Sequence, residues 1–347
     1  MKTRSWMTAG AVTLALLAGA CGDDGEDRPG QVTSEDGGSG SGSGSGSASG
    51  SVSGTGGSSA GGASKGEDGY KPVSDVAPHT AIGTDFAKVK DLLAPAKEGK
   101  PVDWAAVRTV ITEGGASKRS DGSNRTFEKL VDAPDVVAVV LGAVDGTGAS
   151  AGAPDTVRAQ RVEKGITVLL AAKVRDELGA AAEKVEAKNL EPDDGAPHNV
   201  DEAWAFFTAG GNGVAVTADK RAADFKREGK VREPIVAGLV AAQAAATRGD
   251  SAALEQATVE VGERLNYVFY LATHKYLDTG GDAVKRAEGE SFYLGIQPTV
   301  KSASAAADGA IVAAFASGDA AAGRSALHQP AVLEALGVDD AERVDRA

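Results

Sequence analysis

Two stretches of the chain carry the same chemically useful spacing. "VDEAWAFFTAGG" covers residues 200–211, and "KRAEGESFYLGIQP" covers residues 285–298. Each stretch places a glutamate, Glu202 or Glu288, four residues before a phenylalanine. Residues four apart on an α-helix share one face, so both carboxylates are expected to line up with residues that point at a core. A buried carboxylate needs a proton, a cation or a metal ion beside it.

The two glutamates also have a structural explanation that needs no metal. A glutamate in the first turn of a helix is stabilised by the helix macrodipole and caps a backbone amide. This explains Glu202 better than Glu288, which lies deeper in its predicted helix. His198 shares the predicted face of Glu202, whereas Val284 holds the equivalent place before Glu288. Both explanations stay open.

A third set of donors follows one face of a long predicted helix. Glu263, Tyr267, Tyr270, His274 and Leu277 are spaced by four, three, four and three residues. Imidazole, carboxylate and phenolate groups suit iron, and histidine with glutamate also suits copper or zinc. Glu263 and His274 are about 16 Å apart by helix rise, so they cannot share one ion. Alternatively, the tyrosines only pack between helices and the histidine is structural.

These patterns together predict a set of metal ligands. The residues selected are Glu202, Glu288 and His274, with Tyr270 and His198 as further candidates. His79 and His328 fall in segments predicted to be loose and are not included.

The elements that carry these residues are predicted to be helices throughout. Apolar residues recur at helical spacing, and no segment alternates convincingly with a period of two, so the fold class is an all-α helical bundle. Two long helices are predicted over residues 162–188 and 252–277. Shorter helices are predicted over residues 85–93, 103–112, 134–143, 233–247, 299–316 and 319–327.

The order of these elements suggests an internal duplication. Each long helix leads into a Gly- and Asp-rich loop and then into a short helix with the Glu-to-Phe spacing. We therefore predict two degenerate helical-hairpin repeats, with halves at about residues 80–210 and 211–340. "SDGSNRTF", residues 120–127, contains oxygen ligands without completing a calcium-loop pattern, and it is predicted to cap a helix over residues 126–130.

The beginning of the chain has the features of an exported lipoprotein. Residues 1–20 combine a short cationic start with an apolar run too short to cross a bilayer, which is typical of a signal peptide. Cys21 follows directly and is the predicted site of lipid attachment. Residues 21–69 are rich in Gly and Ser and are predicted to form a disordered tether with a reach of roughly 30 Å. Residues 70–347 form the predicted helical domain.

Charge and composition exclude several classes of function. The formal net charge of −13 offers no electrostatic footprint for nucleic acid, but it suits cations. With Cys21 as the single cysteine, an intrachain disulfide and a zinc–cysteine site are excluded. The sequence contains no nucleophile elbow, no His-Glu-x-x-His motif, no phosphate loop and no dinucleotide fingerprint. We therefore expect no enzymatic activity.

Four segments of the chain carry a family resemblance: "EGGASKRSDGSNRTFEKL", "DEAWAFF", "TADKRAADF" and "AEGESFYLGIQP". Together they resemble the low-iron-inducible periplasmic protein family, whose members include the algal iron-assimilation protein, and "VLEALGV" fits the same pattern. The Glu-Ala-Trp-Ala-Phe element is also distantly similar to imelysin-type proteins. The second copy departs from this element, because Gly289 and Glu290 stand at the positions of Ala203 and Trp204.

The resemblance implies an extracytoplasmic, helix-rich protein linked to iron acquisition, without a known reaction. Together with the predicted ligands, it favours an accessory lipoprotein of the cell envelope that binds iron. Its expected partners are the membrane, through Cys21, the metal ion and an envelope transport protein. In a Gram-negative cell, the anchor is expected in the outer membrane. The alternatives are a helical interaction scaffold without a metal site and, more distantly, an imelysin-like peptidase.

Overall fold

Helices provide the regular structure of residues 69–278 and 281–344, the ranges that the computed structural model describes. Within these ranges the chain is all-α, as predicted, with fourteen α-helices, three short 3-10 helices and no strand. The predicted signal peptide, Cys21 and nearly all of the tether lie outside the described residues. None of the described helices has both the length and the apolar character needed to cross a membrane.

The α-helices occur in the following order along the chain. They are α1 Ala77–Thr80, α2 Ile82–Leu93, α3 Trp104–Glu113, α4 Pro134–Asp145, α5 Asp155–Glu186, α6 Ala196–Thr208, α7 Val214–Phe225, α8 Arg232–Arg248, α9 Ser251–Leu277, α10 Ala283–Tyr293, α11 Gln297–Ala303, α12 Ala305–Ser317, α13 Ala320–Leu327 and α14 Pro330–Leu336.

The two long helices, α5 and α9, form the centre of the bundle. Helix α5 packs against α4, α6, α9 and α10, and helix α9 also packs against α8 and α10. Residues 165–171 of α5 are buried without interruption, so all faces of this part of the helix are covered. A helix that is apolar on several sides must be surrounded by other helices. The lengths and apolar patterns of α5 and α9 therefore place them inside the bundle.

Glycines allow two of these helix pairs to approach closely. A Cβ atom on Gly165 of α5 would lie 2.4 Å from Cγ2 of Val140 on α4. A Cβ atom on Gly238 of α8 would lie 2.7 Å from Cγ2 of Val261 on α9. Carbon atoms are not found this close without a contact being displaced, so both crossings depend on a missing side chain.

Apart from residues 126–130, each predicted helix overlaps an observed one, and two differences have local causes. The helix predicted over residues 299–316 is interrupted at Ser304, whose extended backbone ends α11 and whose hydroxyl caps α12 by accepting from the Ala307 amide at 3.1 Å. The helix predicted over residues 126–130 is wrong, because this segment forms turns. There, the Thr126 hydroxyl accepts a hydrogen bond from the Lys129 amide.

The elements on which the predicted duplication rests occur in the predicted order. A long helix precedes a short one twice, as α5 before α6 and as α9 before α10. Helix α10, in the predicted second half, packs on α5 of the first half as well as on α9. The two predicted halves therefore share a core, and their origin by duplication stays a prediction.

Candidate metal centre

The candidate centre is formed by α6 and the short helix α1. Glu202 and His198 lie one turn apart on α6, which is buried along nearly its whole length. Helix α1 packs on α6 and brings in His79, which is 119 residues or more away in the sequence. His79, His198 and Glu202 are 5%, 7% and 4% exposed. The three side chains therefore meet in the interior of the protein.

One carboxylate oxygen lies close to both imidazole rings. Oε1 of Glu202 is 2.7 Å from Nε2 of His79 and 3.0 Å from Nε2 of His198. The three side chains each offer a ligand atom, and these atoms lie within 4.8 Å of one another. Among the described residues, His79 and Glu202 Oε1 have no aligned hydrogen-bond partner, despite their short separation. Two imidazole nitrogens are therefore brought within ion-pair distance of one carboxylate oxygen.

This spacing fits the donor atoms of a single metal ion. Two ligand atoms that each lie about 2.1 Å from one ion, at a right angle, are about 3.0 Å apart. Two imidazoles and one carboxylate occur together at iron and zinc sites. A cation between them would also use the buried lone pairs, which are otherwise costly to leave without a partner. The residues present therefore fit a divalent or trivalent metal ion.

The electrostatics of the centre keep Glu202 charged. Burial alone would raise the pKa of the Glu202 carboxyl, but contacts with His198 and then His79 outweigh it and hold that pKa well below its ordinary value. Burial, and next the negative charge of Glu202, raise the pKa of neighbouring Glu177 to about 8. The centre thus holds one carboxylate that is charged at neutral pH next to one that resists charging.

Glu177 is positioned by its own partners on α5 and α6. Nζ of Lys173, one turn earlier on α5, lies 2.8 Å from Glu177 Oε1. The Asn199 side-chain amide donates to Glu177 Oε2 at 2.7 Å. These contacts fix the position of Glu177 on α5, the longest helix of the bundle, next to the candidate centre.

A buried aspartate holds His198 in place from the other side. Nδ1 of His198 lies 2.8 Å from the hydroxyl of Ser74, and this hydroxyl donates to Asp201 Oδ2 at 2.8 Å. The Asp201 carboxylate also accepts from the amides of Val73 and Ser74 and from the Tyr70 hydroxyl. A histidine whose second nitrogen is fixed in this way presents its first nitrogen in a defined direction, as metal-binding histidines do.

The Glu-to-Phe spacing has a structural meaning at the centre. Phe206, one turn beyond Glu202, packs edge-on against His79 with ring centroids 5.8 Å apart. The guanidinium of Arg125 lies over the same ring, 5.7 Å from its centroid. Phe206 therefore closes the apolar side of the centre and orients the histidine from α1.

Glu288, the counterpart of Glu202 on α10, has different neighbours. It is half-buried and not part of the cluster. Burial, a hydrogen bond to Glu288 and its charge raise the pKa of Tyr276 to about 12, which places Glu288 beside that phenol. Glu290, at the position of Trp204, pairs instead with Arg161 at 2.8 Å. The two Glu-to-Phe helices thus have inequivalent surroundings.

Tyr270 and His274 come together in a second group of aromatic donors. The Tyr270 hydroxyl lies 3.1 Å from Nε2 of His328, and the rings of His274 and His328 are stacked with centroids 5.2 Å apart. Among the predicted ligands, the structure therefore unites His198 with Glu202 and, elsewhere, Tyr270 with His274. Metal binding by these residues stays a prediction.

His79 and His328 complete these two groups, although neither is among the predicted ligands. Residues 70–84 have no helical periodicity, so nothing local indicates that His79 is buried. Pro78 at the start of α1 is a helix-start signal that was available. The pairing of His79 with Glu202 spans more than a hundred residues, and only the packing of α1 on α6 reveals it.

Comparison with known families adds evidence on ancestry. Residues 129–259 match the family model Fea1, described as low iron-inducible periplasmic protein. The predicted resemblance to that family is confirmed. No curated protein and no solved structure matches the chain. The distant similarity to imelysin-type proteins stays a prediction.

The Fea1 match contains two of the three clustered residues. His198 and Glu202 lie inside the matched segment, together with Glu177, whereas His79 lies before it. The segment runs from just before α4 to the first third of α9. It therefore includes the α5–α6 pair on which the candidate centre is built.

Proposed function

We propose that this protein binds iron at the cluster of His79, His198 and Glu202 and acts as a non-catalytic accessory to iron acquisition. The observation that carries the proposal is the convergence of two buried imidazoles on one buried carboxylate oxygen. Such a group is stabilised by a cation and is costly without one. A protonated histidine can supply that cation, and a metal ion can supply it with higher charge.

Iron is favoured by the ligands together with the family match. Nitrogen and oxygen donors without a thiolate suit iron, zinc and copper. The matching family model is described as low iron-inducible, which associates its members with iron limitation. The formal charge of −13 would also raise the local concentration of cations around the protein.

The same description, periplasmic, supports an extracytoplasmic location for this chain. We extend the proposal to a lipid anchor at Cys21, which would retain the domain at the membrane, and to delivery of iron to an envelope transport protein. Mass spectrometry of the mature protein tests the anchor. A diacylated N-terminal peptide beginning at Cys21 is expected, and an unmodified Cys21 would contradict it.

The metal proposal is tested by titrating the purified, metal-free protein with ferrous iron under anaerobic conditions and with ferric iron as a soluble chelate. Wild-type protein is expected to bind one ion. Glu202→Gln keeps the shape of the side chain, removes its charge and should abolish this binding. Glu288→Gln is the matched control, since it makes the same change on α10 and should leave the stoichiometry at one. Loss of binding in the control alone would overturn the assignment.

A thermal measurement separates this proposal from an interaction scaffold. An ion at one hundred times its dissociation constant adds about 2.7 kcal/mol to the free energy of unfolding. For a domain of this size this corresponds to a rise in melting temperature of roughly 5–10 °C. A scaffold whose histidines only pair with Glu202 should show no such rise with iron, zinc or copper.

A further inference from the structure

A cavity away from the candidate metal centre is lined mainly by positive charge, although the protein as a whole is acidic. Its volume is about 140 Å³, and residues of α2, α5, α7, α9 and α10 line it. Four of these residues are cationic: Lys90, Lys164, Lys220 and Arg221. Glu163 is the single acidic residue among the lining residues described. A local excess of positive charge in a chain with a net charge of −13 requires an explanation.

The start of α7 lies at this cavity. Gly213 precedes the helix with an extended backbone, and no side chain caps the helix start. A Cβ atom at this position would lie 2.3 Å from the carbonyl oxygen of Phe207, so no capping side chain fits there. Gly213 and Val216 both line the cavity. The Val216 amide donates to the Gly213 carbonyl at 3.2 Å, so the contribution of this turn is the positive end of the helix dipole, which favours an anion beside it.

Arg221 supplies a second, independent indication of a ligand. It is 4% exposed and lines the cavity. Its Nη2 pairs with Asp224 Oδ2 at 2.6 Å, and its guanidinium also contacts the Tyr276 phenol. Within the described residues, its Nε and Nη1 have no well-aligned hydrogen bond. The guanidinium lies 5.5 Å from the ring centroid of Tyr276 and 6.0 Å from that of Phe292, and aromatic faces compensate only part of the lost hydration.

The lysines are likewise only partly neutralised. Lys164 lies 2.7 Å from Glu163 Oε1 and accounts for the one lining carboxylate. Lys90 donates to the neutral side-chain oxygen of Asn212. Burial lowers the pKa of Lys90, and the charges of Lys220 and Lys164 lower it further, against the effect of Glu163. Of the four cations, Lys164 and Arg221 are thus paired with carboxylates, whereas Lys90 contacts a neutral oxygen and lies close enough to Lys220 for their charges to repel.

We propose that this cavity binds a small oxyanion, of the phosphate or short dicarboxylate type. Such an ion would contact the ammonium groups of Lys90 and Lys220 and the start of α7, and its charge would offset that of Arg221. The site is separate from the candidate metal centre, because Thr167 at the cavity and Glu177 at the centre are ten residues apart on α5. That spacing corresponds to about 15 Å.

The test uses metal-free wild-type protein and isothermal titration at low ionic strength, with inorganic phosphate in one arm and succinate in the other. Saturable binding with one site is expected in at least one arm, and the arm that binds more tightly identifies the chemistry. Lys220→Gln removes an exposed lysine and should weaken binding about tenfold, the equivalent of one charge-assisted hydrogen bond. Lys90→Gln should have a similar effect.

Two controls make the result specific. Lys88→Gln removes an exposed lysine from the same helix as Lys90 but away from the cavity, and it should leave binding unchanged. Glu202→Gln should also leave oxyanion binding unchanged, so that failure of the metal proposal and failure of this one are distinguishable. The absence of saturable binding in both arms would overturn the proposal, as would equal weakening by Lys88→Gln and Lys90→Gln.

Discussion

Replacement of Asp201 by alanine should destabilise the protein and weaken the candidate metal centre at the same time. Asp201 is fully buried, and its carboxylate has no cationic partner within the hydrogen bonds described. It is instead held by the Tyr70 hydroxyl at 2.7 Å and by the amides of Val73 and Ser74, both at 2.8 Å. The Ser74 hydroxyl and the Gln243 amide also donate to it. These contacts attach the segment before α1 to α6.

The loss in free energy of unfolding depends on whether these donors find another acceptor once Asp201 is removed. Each buried donor left without a partner costs about 1–3 kcal/mol. Val73 and Ser74 lie near the surface, so water can reach their amides. The buried Tyr70 hydroxyl still accepts from Gln243, but its own proton loses its acceptor. The total for Asp201→Ala is therefore roughly 3–5 kcal/mol, not the sum over every contact. Asp201→Asn keeps one acceptor oxygen and should cost about 1–2 kcal/mol.

Urea unfolding followed by far-UV circular dichroism measures these losses. Asp75→Ala is the matched control, because Asp75 is exposed, lies in the same segment and only caps the Ala77 amide. It should cost about 1 kcal/mol or less. Iron affinity of Asp201→Ala should fall about 10- to 100-fold, since His198 loses the support of Ser74. A loss of stability equal to that of Asp75→Ala, or unchanged iron affinity, would refute the reasoning.

Two further predictions concern packing and ionisation. Gly289→Ala would place a Cβ atom 2.4 Å from Cε1 of Phe315 and should destabilise the protein by about 1–3 kcal/mol. The same change at Gly309, a helical glycine with open space around it, should stabilise by up to about 1 kcal/mol, and equal effects at both sites in thermal melts would contradict the close packing. Burial raises the pKa of four of the five tyrosines, to about 12 for Tyr267 and Tyr276. The folded protein then holds these protons more tightly than the unfolded chain does, so its free energy of unfolding should fall as pH rises above about 10. An absorbance titration measures the ionisation of the phenols. Ionisation of all five near pH 10 would contradict the prediction.

The sequence predicts the helices of this protein well and the assembly of its centre only in part. Periodicity identifies α5 and α9, because apolar residues at helical spacing are a local signal. It also aligns His198 with Glu202, since both lie on one helix. Glu288 has the same spacing to a phenylalanine as Glu202, yet it lies beside the Tyr276 phenol and not beside an imidazole of the cluster. The spacing of two residues along the sequence determines whether they share a face of their helix, but it does not determine which other helix packs on that face.

His79 shows why the rest of the centre could not be predicted. It lies on a helix of four residues, too short to have a periodic pattern. Its burial depends on the attachment of residues 70–76 to Asp201 and on the contact of α1 with α6. These are tertiary contacts between residues more than a hundred positions apart, and a single sequence contains no local trace of them.

X-ray absorption spectroscopy of the iron-loaded protein tests the central claim most directly. Coordination by His79, His198 and Glu202 predicts nitrogen and oxygen ligands at about 2.0–2.2 Å and the outer-shell scattering of two imidazole rings. In His79→Gln, one of these imidazole contributions should disappear. A spectrum without imidazole scattering, or one that His79→Gln leaves unchanged, would contradict the assignment of this cluster as the iron site.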